Sequence, residues 1–132
     1  MRTYVRTIFA IGCGYVVVLV MILLGAIVIA AAMFHGLPMA VAPPKFIAAN
    51  AVLAFVSSIA GGALTARVAP SRPIYHAAGL GVALLSIGVF ALIFPSPQSL
   101  VPNWYEPLVA VLGAIGAVVG GMLVRDAKNL TT

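Results

Sequence analysis

Four apolar runs, Thr7–Met33, Phe46–Ala66, Ile74–Phe94 and Pro107–Val124, contain no Asp, Glu, Lys or Arg. A helix needs about 20 apolar residues to cross the hydrocarbon core of a bilayer, and each run is about that long or longer. The pattern predicts an all-α polytopic membrane protein. Its helices fall at about 7–33, 46–66, 74–94 and 104–125, in an antiparallel four-helix bundle that makes residues 1–132 one transmembrane domain. All nine prolines lie in loops or at helix starts, so nothing signals the broken helices that many transporters use for substrate. Asn103-Trp104-Tyr105-Glu106 has the spacing of a capping box, with Asn103 as the cap and Glu106 in the first turn.

Composition agrees with the pattern. A mean hydropathy of +1.22 with 7% charged residues lies far from soluble domains. The longest candidate loop, His35–Lys45, is too short to bury a core of its own. The net charge of +5 is informative through its placement. Arg2, Arg6, Arg67, Arg72, Arg125 and Lys128 would share one side, and only Lys45, beside Glu106, would face the other. This positive-inside bias sets both termini in the cytoplasm. It implies the lipid bilayer as partner, at roughly 1 kcal/mol per basic residue near anionic headgroups, and no nucleic acid. The first run ends in Ala30-Ala31-Ala32, the small-residue pattern of a signal-peptide cleavage site, but it is longer than a signal h-region and reads as a retained span. Cys13 is the only cysteine, so no intrachain disulfide is expected, and it reads as a small packing residue.

The clearest local pattern is a stripe of small residues. Ala54, Ser58 and Gly62 recur every four residues on the second span, with Ser57, Gly61 and Thr65 alongside. Gly113, Ala117 and Gly121 do the same on the fourth, beside the GxxxG pair Gly116 and Gly120; the third span adds Ala77, Gly81 and Gly88. Residues four apart share a helix face, and small ones let backbones approach closely in lipid. The stripes serve either packing within the chain or a homo-oligomer interface. The second and fourth spans also align weakly, Gly61-Gly62 on Gly120-Gly121, as a duplicated helical hairpin would. Asn50, Ser57 (or Ser58) and Thr65 would line a narrow polar seam, or else bond their own backbone.

Chemistry is sparse. His35 and His76 fall at opposite ends of the bundle and lack acidic or cysteine neighbours, so neither metal nor cofactor is expected. No nucleophile–base pair, paired carboxylates or phosphate loop is evident, and the expectation is a protein that is not an enzyme.

Gly61-Gly62, Ala66-Arg67-Val68-Ala69-Pro70, Arg72-Pro73 and His76-Ala77 together resemble a pattern in small four-helix bacterial inner-membrane proteins. Trp104-Tyr105 ahead of Pro107 and Leu108, and the late Gly120-Gly121 pair, are similar to the same group. The resemblance covers about the C-terminal two-thirds of the chain. It implies an inner-membrane location and brings no activity with it.

Three functional expectations follow. The first is a non-catalytic subunit or homo-oligomer acting through helix packing, with a lipid-facing glycine such as Gly116 meeting the partner. The second is a transporter or channel for a small neutral or apolar solute. The third is a cytoplasmic docking site at Arg67, Arg72 and His76.

Overall fold

The computed structural model describes residues 2–34, 42–69, 72–94 and 101–129. They form four helices: α1 (Arg2–Phe34), α2 (Pro44–Val68), α3 (Pro73–Ile93) and α4 (Tyr105–Asn129). Each is long and apolar enough to cross a membrane. Even the shortest, α3, has 21 residues, about 30 Å at a rise of 1.5 Å per residue.

The helices begin and end beyond the apolar runs where charged residues continue them. Thus Arg2 and Arg6 lie inside α1, and Arg125 and Asp126 inside α4. Backbone hydrogen bonding ignores side-chain polarity, so a helix need not stop where the apolar stretch does. Pro44 and Pro73 take first-turn positions, where a missing N–H costs no helical bond. The predicted capping box does not form. The helix starts at Tyr105, whose amide donates to the Pro102 carbonyl at 2.9 Å, and Asn103 lies exposed in the preceding turn. Glu106 keeps its place in the first turn.

Packing is led by α4, which lies against α2 and α3, while α1 lies mainly along α2. Small residues set these contacts. A Cβ on Gly120 would fall on the Ile59 carbonyl oxygen, and one on Gly62 would fall on that of Ala117. A Cβ on Gly116 would sit 2.8 Å from the Phe55 oxygen. Toward α3, Gly81 faces Ala114, Gly88 faces Ala110 and Gly121 faces Ala77. In lipid there is no hydrophobic gain from bringing helices together, so dispersion between closely approaching backbones holds the bundle.

Val18, Leu80 and Ala117 form the apolar centre. Ser57, Ser58 and Thr65 are buried with them, while large side chains such as Ile8, Leu23, Ile27, Phe90 and Leu123 point outward. Small and hydroxyl-bearing residues inside, large apolar ones outside, is the arrangement that a hydrocarbon solvent favours.

Candidate functional site

All ten small residues singled out for packing (Ala54, Ser58, Gly61, Gly62, Gly81, Gly113, Gly116, Ala117, Gly120 and Gly121) are buried within this single chain. Gly116 is therefore not lipid-facing: α2 covers it through Phe55, Ser58 and Ile59. Of the glycines among the described residues, only Gly12 has open space around its missing Cβ. The glycine stripes are occupied internally and offer no free surface to a partner.

The polar positions separate into two kinds. Asn50 donates its amide to the Phe46 carbonyl at 3.0 Å, and the Ser58 hydroxyl donates to the Ala54 carbonyl at 2.8 Å. Both are answered by their own helix, one turn back. Ser57 Oγ and Thr65 Oγ1 are buried without a hydrogen-bond partner. They flank Gly61 on the face of α2 that meets α1, and Thr65 Oγ1 occupies the space where a Gly14 Cβ would be. The seam thus reduces to two hydroxyls sealed beneath α1. An unanswered buried hydroxyl costs about 1–3 kcal/mol.

At the other candidate, His76 Nδ1 donates to the Arg72 carbonyl at 3.2 Å, while Nε2 lies 3.1 Å from Thr7 Oγ1. Because a hydroxyl both donates and accepts, Thr7 can serve either protonation state of the imidazole. Arg72 holds a left-handed backbone, φ 45°, and its guanidinium lies 5.7 Å from the centre of the Tyr75 ring. A non-glycine residue there stores about 1–2 kcal/mol, so the turn into α3 is held by its surroundings. Arg67 is exposed in the last turn of α2. Among the described residues, no group of three His, Cys, Asp or Glu converges.

Besides the space of about 560 Å³ bordered by Tyr4, Thr7, Ile11, Tyr75 and His76, a more apolar one with the dimensions of a binding site lies toward the opposite end. The named contacts between α1 and α3, Thr7 with His76, Ile11 with Gly79 and Gly14 with Leu80, fall toward one end of both helices. Beyond Leu80 a cavity of about 360 Å³ separates them. Tyr15 and Ile22 line it from α1, Leu84 and Ala91 from α3, and Val109 and Glu106 from α4. Its back is α2, at Ala54 and Ser58. Apart from Glu106, the tyrosine hydroxyls and Ser58, the lining residues have apolar side chains.

Sequence reasoning did not find this cavity, nor the α1 stripe Ala10, Gly14 and Val18, all three buried. The stripe had a usable signal, the same four-residue spacing found on α2 and α4. The cavity had none, because it depends on which side chains fail to meet. Comparison with protein-family models, curated proteins and solved structures finds no match to this chain.

Proposed function

We propose that this chain is a non-catalytic carrier of the bacterial inner membrane that holds a small, mainly apolar molecule in the cavity between α1, α3 and α4. The cavity itself carries the reading: ligand pockets span roughly 300–1,000 Å³ and are lined mostly by apolar side chains, and this one fits both criteria. The helices that line it carry exposed apolar side chains such as Leu19, Leu92 and Val111, which supports entry by a solute partitioned into the bilayer.

The topology proposed with it has neighbouring helices antiparallel and both termini cytoplasmic. The pairings support the first point. Along α1 and α2, Gly14 meets Gly61 while Gly25 meets Leu53; along α3 and α4, Ala77 meets Gly121 while Gly88 meets Ala110. The basic residues Arg6, Arg67, Arg72 and Arg125 support the second through the positive-inside bias. The likeness of the Gly61–Ala77 stretch to small inner-membrane proteins supports the location.

The test is equilibrium dialysis of the purified chain with a small radiolabelled arene. Saturable binding that Ala91→Phe removes is expected. Uptake that rises linearly with concentration, as in empty detergent micelles, contradicts the proposal.

A second reading, a small subunit of a membrane complex, now rests on α1. Its outer face presents Ile8, Val16, Leu23 and Ile27 with no helix of this chain upon them. Mild-detergent co-purification that returns a stoichiometric membrane partner would favour it.

A further inference from the structure

We infer that the cavity takes a lipophilic cation, with Glu106 as its counter-ion. The inference rests on the carrier reading above and adds a charge preference to it. Glu106 is half-buried and lines a cavity whose other walls, apart from Ser58 and the tyrosine hydroxyls, are apolar. It has no ion pair among the described residues, where the single salt bridge joins Arg125 to Asp126. Lys45, the basic residue that the proposed topology sets toward the same end, is exposed at the start of α2 and does not line the cavity.

A carboxylate bordering an apolar space is costly unless a positive charge answers it. Its seat in the first turn of α4 suits a carboxylate, because the helix macrodipole presents partial positive charge there. That placement accounts for a carboxylate at the helix start, but it leaves the face toward the cavity unanswered. A cation supplies a charge-assisted contact. Tyr15 and Tyr105, which also line the space, bring aromatic rings, a group that attracts positive charge. An anion of the same shape meets repulsion from Glu106, and no Lys or Arg among the described lining residues offsets it. The occupant is thus a small molecule with an apolar body and one delocalised or shielded positive charge, drawn from the bilayer.

The experiment uses two probes of nearly equal shape and opposite charge, tetraphenylphosphonium and tetraphenylborate. Each is dialysed against the purified full chain in uncharged, phospholipid-free detergent. Saturable cation binding is expected, with the borate bound at least about tenfold more weakly. Glu106→Gln is expected to lose most of that preference, and Glu106→Asp to keep part of it. Circular dichroism and elution volume check that each variant remains folded.

Equal binding of the two ions, unchanged in Glu106→Gln, overturns the charge preference while leaving the carrier reading intact. Absence of saturable binding by either ion or by the neutral arene overturns both. Phosphatidylethanolamine that copurifies with the chain and resists displacement by the cation makes this a lipid site and also overturns the inference.

Discussion

The seam between α2 and α4 and the gap between α1 and α3 are both built from helices apolar enough to cross a membrane, yet one is closed and the other open. Along the seam, Gly62, Gly116 and Gly120 bring backbone against backbone, and Ser58 and Ala117 fill what remains. Along the gap, Tyr15, Ile22 and Leu84 stand where small residues would be needed for contact. Side-chain size decides the outcome: in a hydrocarbon solvent, polarity does not drive helices together, and close approach does. One side of the molecule is therefore a closed scaffold, and the other holds the cavity proposed as a receptacle.

The comparison is broken most severely at Gly120. Gly120→Leu forces a side chain into the Ile59 carbonyl and the Ala63 nitrogen, which are backbone and cannot turn aside. A loss of about 3 kcal/mol or more is expected, at or beyond the upper range for overpacked cores. Denaturant titration of helicity in mixed micelles reads it.

Ser57→Ala acts on the α1–α2 contact in the opposite direction. Removing a buried hydroxyl that has no partner is expected to stabilise the chain by up to about 1 kcal/mol, measured the same way. Gly12 has open space around it, so Gly12→Ala should gain about 0.5–1 kcal/mol through helix propensity alone. A loss there would mean that an unseen neighbour covers α1. The smallest stability change is expected on the open side, where Ala91→Phe grows into empty volume. Thermal unfolding should shift by no more than about 0.5 kcal/mol while ligand binding disappears.

Much of the scaffold was legible in the sequence. Run length and proline placement located all four helices, because a bilayer sets the length needed to cross it and proline is better tolerated in a helix's first turn than in its interior. The small-residue spacing on α2 and α4 was equally visible. What it could not reveal was the surface each glycine meets: Gly116 and Gly120 present the same pattern whether the opposing helix belongs to this chain or another. Only their three-dimensional pairing with Phe55, Ile59 and Ala63 assigns them to the interior.

The receptacle was not legible. It arises where Tyr15 and Ile22 stand apart from Leu84 and Ala91, a relation between residues far apart in sequence that no local motif encodes. Glu106 shows the same limit. Its spacing suggested the first-turn member of a capping box with Asn103, and it does lie in the first turn, but its place as a cavity wall depends on where α1 and α3 leave space.

The central claim is that the bilayer communicates with a ligand-sized cavity between α1 and α3. Carbene photolabelling in liposomes tests it most directly, using an apolar diazirine with peptide mapping by mass spectrometry. Two kinds of labelling are expected. Exposed α1 positions such as Leu23 and Ile27 should label in proportion to probe concentration. Tyr15, Ile22, Ala91 and Val109 should label saturably and be protected by unlabelled arene. Labelling that is unsaturable everywhere and insensitive to competitor would contradict the account.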